Sequence, residues 1–144
     1  MDQFKIHRQL QLDSHYLGKF SISHILLHKN AVLPWFILVP EIDAGDLLDL
    51  PEDVRHAALQ EAAAVAEFIK KVLGYPKINF AAIGNVVPQL HLHVVGRRPG
   101  DACWPAPVWG HLTVTREYTV AELQDIGTVL ARECTVTVAS ATRL

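Results

Sequence analysis

One segment, residues 51–74, constrains the fold of this 144-residue chain more than any other. Apolar residues recur there at the i, i+3, i+4 spacing of a helix with one buried face: Val54, Ala58, Leu59, Ala62, Val65, Ala66, Ile69 and Leu73. Pro51 suits the first helical turn, and Gly74 follows Lys70 and Lys71 as a helix end. The pattern predicts a long helix that is buried on one side.

Short runs of β-forming residues predict a sheet against which this helix packs. They are FSISHILL (20–27), WFILV (35–39), KINFAAIG (77–84) and QLHLHVVGR (89–97). The first two runs are joined by the turn HKNAVLP, which favours an antiparallel pair. A second helix is predicted over 119–133, where Thr119 and Glu122 form a capping box. The predicted class is α+β, with an antiparallel sheet of about five strands and two helices.

Composition narrows the class of protein. The chain is 50% hydrophobic and 19% charged, which is typical of a compact domain, and its net charge of −2 gives no overall attraction to nucleic acid. The most apolar window, AVLPWFILVP, is far shorter than the roughly 20 residues needed to cross a membrane. We expect one domain over 1–144, with a core at about 20–100 and a C-terminal extension and helix at 101–144. The chain has two cysteines, neither of them in a CxxC pair, and its N-terminus does not resemble a secretory signal. Both features indicate a cytoplasmic protein.

The candidate functional residues lie in the segment QLHLHVVGR. Alternation along a strand places Gln89, His91 and His93 on one face and the apolar residues between them on the other. Three interpretations are open: an exposed polar face, a zinc site, or phosphoryl chemistry with one imidazole as nucleophile and the other supporting the phosphate.

The zinc interpretation requires a third ligand. The first acidic residue after the strand, Asp101, follows a Pro-Gly turn, and the other candidates, His24, His28 and His111, are distant in sequence. Nothing in the spacing points to one of them.

A family resemblance bears on this choice. QLHLHVVGRR followed by PGD resembles the signature of the histidine triad (HIT) superfamily, His-x-His-x-His-x-x with x apolar. The order of elements over roughly residues 20–100 is also similar to that of a HIT domain. PWFILVP, GNVVPQLHLHVV and CWPAPVWG resemble more closely a bacterial HIT-like subgroup in which glutamine, here Gln89, replaces the first histidine.

The resemblance implies a HIT-like fold and attack on the α-phosphate of a nucleoside phosphoramidate or dinucleoside polyphosphate. It assigns His91 as the nucleophile that forms a covalent nucleotidyl-histidine, aimed by a hydrogen bond to the backbone carbonyl of Gln89. It assigns His93 as the group that stabilises the phosphate. It implies no metal and no cofactor, a nucleotide or nucleotide conjugate as ligand, and a homodimer.

Three positions depart from the family. Gln89 cannot become a cation near neutral pH. Trp35 stands where many HIT proteins have a supporting histidine, and we expect it to pack in the core. Val86 stands where a serine or threonine assists the leaving group, which leaves Asn85 and Asn79 as the nearby polar candidates.

Other candidates for substrate contact are Arg97, on the histidine face of the strand, and Asn30, in the turn before PWF. The segment CWPAPVWG could cover the nucleotide site or contact a second subunit. We favour an enzyme because His91 and His93 are both retained. The alternatives are a catalytically weak nucleotide-binding or regulatory module on the same fold, and a zinc hydrolase that uses the two histidines.

Overall fold

The computed structural model describes residues 3–138. The elements in chain order are α1 (Arg8–Asp13), β1 (Ser14–Lys19), β2 (Ser23–His28), β3 (Trp35–Pro40), a 3-10 turn (Leu47–Asp49), α2 (Glu52–Lys71), β4 (Lys77–Ala81), β5 (Leu92–Arg97), α3 (Val120–Glu133) and β6 (Thr137–Val138). The strands form one antiparallel sheet in the order β4-β5-β3-β2-β1-β6. The predicted α+β class is confirmed, with α1 and the two-residue β6 in addition.

The sheet separates two apolar clusters. One cluster joins α2 and α3 to the sheet through residues such as Leu90, Leu92 and Val94. The other lies on the opposite face, around Trp35 and Val95. Because the central strands β3 and β5 face a cluster on each side, every residue in both strands is buried. His91 and His93 lie on the face opposite α2, as alternation predicted, but the strand predicted over 89–97 begins only at Leu92.

The N-terminal part of the sheet differs from the prediction. The run 20–27 is interrupted at its start, because the chain turns at residues 20–22 and the N–H of Phe20 donates to the carbonyl of Ser23 at 2.8 Å. β2 therefore begins at Ser23, and a further strand, β1, precedes the turn. The short helix α1 leads directly into this strand.

Gly96 sets how closely α2 approaches β5. A Cβ atom at this position would lie 2.6 Å from Cγ2 of Ile69 and 2.7 Å from Cγ of Pro34. Only glycine fits without displacement, so residue 96 fixes the spacing between the helix and the strand that carries His93.

The second predicted helix is confirmed as α3, together with its cap. The N–H of Glu122 donates to the Thr119 hydroxyl, and the N–H of Thr119 donates to the Glu122 carboxylate. Within residues 3–138, no helix has both the length and the hydropathy needed to span a membrane.

Candidate active site

A cavity of about 360 Å³ opens on the sheet face opposite α2. Its walls come from α1, the end of β2, the start of β3, the loop 83–87 and the segment around Trp109, and both His91 and His93 line it. Five elements distant in sequence therefore meet around the two histidines.

His91 is held by the backbone just before β5. It is buried, and its Nδ1 lies 2.8 Å from the carbonyl oxygen of Gln89, a contact in which Nδ1–H donates. The Nε2 atom of the neutral ring then carries the free lone pair. The hydrogen bond that the resemblance implied for His91 is present.

His93 is held by a side chain. The indole N–H of Trp35 donates to Nδ1 of His93 at 3.0 Å, and the rings of His91 and His93 lie edge to face with their centres 4.9 Å apart. Burial, and then the neighbouring His91 and His28, lower the pKa of His93 to about 3. His93 is thus neutral at physiological pH. The expectation that Trp35 packs in the core was correct but incomplete, since its ring N–H also contacts the site.

Gln89 does not join the two histidines in a row. β5 begins at Leu92, where pairing with β3 starts, and before it the N–H of Leu90 donates instead to the carbonyl of Ala44. The Gln89 side chain therefore turns towards the N-terminal arm, which we define as residues 4–7. Its Oε1 accepts from the N–H of His7 at 2.8 Å, and its Nε2 donates to the carbonyl of Lys5 at 2.9 Å.

Arg97 and Asn79 lie together away from the cavity. The Arg97 side chain is 1% exposed and donates to both carboxylate oxygens of Asp101, at 2.8 and 3.0 Å. It also donates to the side-chain oxygen of Asn79 and the carbonyl of Ala106, each at 2.8 Å. Burial alone would raise the pKa of Asp101, but the hydrogen bonds from Arg97 hold it below its usual value. These contacts fasten the loop that follows β5, and neither residue lines the cavity.

The remaining predicted contacts divide into two groups. Asn85 lines the cavity, as does Val86, whose side chain is 88% exposed. Asn30 instead joins two loops: its amide donates to the carbonyl of Val114 at 2.9 Å and its side-chain oxygen accepts from the N–H of Arg116 at 3.2 Å.

Three aromatic side chains line the cavity beside His93: His28, Trp35 and Trp109. The ring of His28 stacks on Trp35, with 4.1 Å between centres, and its Nδ1 accepts from the N–H of Asn30. Trp109 meets both His93 and Trp35 edge-on, at 5.1 and 5.8 Å. Trp109 thus lines the cavity.

Sequence reasoning missed the contribution of α1. Gln9 and Asp13 line the cavity, and the Gln9 amide donates to the Asp13 carboxylate at 3.0 Å. A six-residue helix leaves little periodicity to detect, and its N-cap, His7, is not a residue type that marks a helix start.

Within the described part of the chain, no three His, Cys, Asp or Glu side chains are grouped as metal ligands would be. The zinc interpretation therefore has two histidines and no third ligand in residues 3–138. One of these two, His93, already accepts a hydrogen bond at Nδ1.

Solved bacterial structures resemble this chain over most of its length. A histidine triad protein from Bradyrhizobium japonicum is 37% identical, with a TM-score of 0.84 over 90% of this chain and 96% of that one. One from Marinobacter aquaeolei VT8 is 35% identical, with a TM-score of 0.85 over 92% and 96%. One from Sinorhizobium meliloti 1021 is 32% identical, with a TM-score of 0.85 over 91% and 97%.

No curated protein matches the chain. The family model described as HIT domain matches residues 9–100, the segment that runs from α1 past the two histidines. The chain therefore belongs to the histidine triad family, whose members are generally nucleotide-binding hydrolases or transferases.

Proposed function

We propose that the protein is a nucleotide hydrolase or nucleotidyl transferase in which His91 attacks the α-phosphate of its substrate. The observation that carries this proposal is the 2.8 Å contact between Nδ1 of His91 and the carbonyl oxygen of Gln89. A neutral ring that donates at Nδ1 presents an unprotonated Nε2, which is the form a nucleophilic imidazole requires.

The proposed reaction has two steps. Nε2 of His91 forms a bond to phosphorus while the bond from phosphorus to the leaving nitrogen or oxygen breaks, and the leaving group takes a proton from solvent. Water then attacks phosphorus and breaks its bond to Nε2, which releases the nucleoside monophosphate and a proton. The Nε2–H of neutral His93 donates to a phosphate oxygen in both steps.

The charge of the cavity favours one substrate class. Lysine and arginine are absent from its described lining, which includes the carboxylate of Asp13. A phosphoramidate of a nucleoside monophosphate brings a single charged phosphoryl group to this cavity. A dinucleoside polyphosphate brings several negative charges towards Asp13 without a cation to offset them. We therefore propose phosphoramidase activity as the main reaction.

The aromatic and apolar walls fit the rest of a nucleotide. Trp109 and His28 offer ring faces and edges to a base, and Asn85 adds an amide to the lining. This arrangement is typical of ligand cavities, which are mostly apolar with a few convergent polar groups.

The test compares hydrolysis of adenosine phosphoramidate and diadenosine polyphosphates by the unchanged protein and by His91→Ala. His56→Ala is the matched control, because His56 is an exposed histidine on α2, across the sheet from the cavity. We expect His91→Ala alone to lose at least about a thousandfold in kcat, a loss typical of a removed nucleophile. Intact-mass measurement of the quenched reaction should show the nucleotidyl adduct only when His91 is present.

A catalytically weak nucleotide-binding module is the second candidate. The engagement of Gln89 with the N-terminal arm favours it, because this side chain is then directed away from the two histidines. Equal and negligible turnover by the unchanged protein and His91→Ala, with nucleotide bound by both, would establish this module and refute the hydrolase.

Assembly and location complete the proposal. We infer a cytoplasmic homodimer built from one domain per chain. The strand β4 forms an edge of the sheet, and the 44% exposed side chain of Phe80 on it is available for contact with a second copy. Sedimentation equilibrium tests this, and a monomer at micromolar concentration would contradict it.

A further inference from the structure

The contact between Trp35 and His93 has a defined direction. An indole nitrogen donates and cannot accept, so Nδ1 of His93 must be unprotonated wherever the 3.0 Å hydrogen bond exists. A neutral imidazole carries one proton, which must then reside on Nε2. Trp35 thereby selects one of the two neutral tautomers of His93.

The same contact opposes the charged form of the ring. A protonated His93 would have N–H groups at both nitrogens, and its Nδ1–H would face the indole N–H. Both residues are buried, with 8% and 7% of their surfaces exposed, so water could not readily replace the lost hydrogen bond. The titratable side chains that share the cavity are His91, His28 and Asp13.

The indole is itself held in place. His28 stacks on one face of Trp35 at 4.1 Å and nearly parallel, and Trp109 meets its edge. Trp35 also lies opposite Val95 in the pairing of β3 with β5, so backbone hydrogen bonds fix both strands. The N–H therefore stays directed at His93.

We propose that Trp35 is a positioning residue: its indole N–H locks His93 as the neutral Nε2–H tautomer, which presents a hydrogen-bond donor to the substrate phosphate. This role in turnover rests on the proposed function, whereas the lock is a property of the free protein. The described lining of the cavity contains no lysine or arginine. The Nε2–H of His93 instead offers the phosphate a neutral donor whose direction is fixed.

The lock is tested without substrate by ¹⁵N NMR of the histidine rings. In the unchanged protein, His93 should show an unprotonated Nδ1 and a protonated Nε2 from pH 7 down to pH 5. A protonated Nδ1 in this range would overturn the proposal. Trp35→Phe keeps a ring beside His28 but removes the donor, so His93 should become a mixture of tautomers and should titrate at a higher pH.

Trp109→Phe is the matched control. It makes the same substitution beside His93, but Nε1 of Trp109 is buried without a hydrogen-bond partner among the described residues. Trp109→Phe should leave the tautomer of His93 unchanged. A tautomer that shifts equally in both variants would show that ring packing, and not the N–H of Trp35, selects it.

Kinetics with adenosine phosphoramidate test the role in turnover. Trp35→Phe should lower kcat about tenfold with little change in KM, since the missing contact directs a group that stabilises the transition state. Loss of the tautomer with unchanged kcat would overturn the positioning role. Absence of turnover in the unchanged protein would refute the proposed function and the catalytic role with it, while the NMR result would still decide the lock.

Discussion

Replacement of Arg97 tests whether this side chain serves the fold or the substrate. Arg97 and Arg98 are neighbours in sequence but differ in environment. Arg97 is buried against Asp101, whereas the exposed Arg98 has its guanidinium 3.7 Å from the ring centre of Tyr75. Arg97→Met and Arg98→Met therefore make the same chemical change at a buried and an exposed position.

The structure sets the expected magnitudes. Arg97→Met leaves the carboxylate of Asp101, with 3% of its side chain exposed, without its cation, and removes a donor from Asn79 and from Ala106. Loss of one partner from a buried ion pair costs about 3–5 kcal/mol. Arg98→Met removes an exposed cation–π contact, which costs about 1 kcal/mol or less.

Urea unfolding measures both costs. With a slope of about 2 kcal/mol per molar urea, the midpoint should fall by about 2 M for Arg97→Met and by less than about 0.5 M for Arg98→Met. The double variant Arg97→Met, Asp101→Leu should recover part of the loss, because it removes the uncompensated charge as well. Equal costs for the two single variants would refute the reasoning. So would a raised KM in Arg97→Met with an unchanged midpoint, which would make Arg97 a substrate contact.

Three further results are expected from the fold. Gly96→Ala should cost about 1–3 kcal/mol in urea unfolding, because its methyl group would overlap Ile69 and Pro34; an unchanged midpoint would contradict the close approach of α2. The pKa of His93 is about 3 in the folded protein and 6.5 for an unperturbed histidine, which stands for the unfolded chain. Its contribution to stability is therefore present above pH 6.5 and is lost as pH falls towards 3. That loss should be about 2 kcal/mol between pH 7 and pH 5, and it should be absent from the pH dependence of His93→Gln. Thr119→Ala should cost about 1 kcal/mol by removing the cap of α3, as measured by thermal unfolding, whereas Thr115→Ala, outside any helix, should cost less.

Local signals in the sequence predicted most of the fold. α2 and α3 follow from apolar spacing and from capping residues such as Thr119, because a helix is specified by residues close in sequence. The buried strand β3 follows from an unbroken apolar run. β1 was missed because serine, histidine and glycine interrupt its apolar pattern, and its pairing with β2 depends on a turn that leaves little signal.

Local signals also predicted part of the site. Neither His91 nor His93 was predicted to be buried, but their shared face follows from alternation along residues 89–97. The bonds that direct them do not, since Trp35 and His93 are 58 positions apart, and Gln89 and His7 are 82 apart. Arg97 shows the limit of alternation: the pattern gave its face correctly, but only the fold reveals that Asp101 and Ala106 occupy its donors.

Gln89 connects the N-terminal arm to His91. Its side chain holds the backbone of Lys5 and His7, while its carbonyl oxygen holds Nδ1 of His91. No residue of the arm lines the cavity, yet the groups that hold the arm and His91 both belong to Gln89. Deletion of residues 1–7 would therefore remove both partners of the Gln89 side chain, and we expect kinetic comparisons with such a protein to report this loss as well as the chemistry.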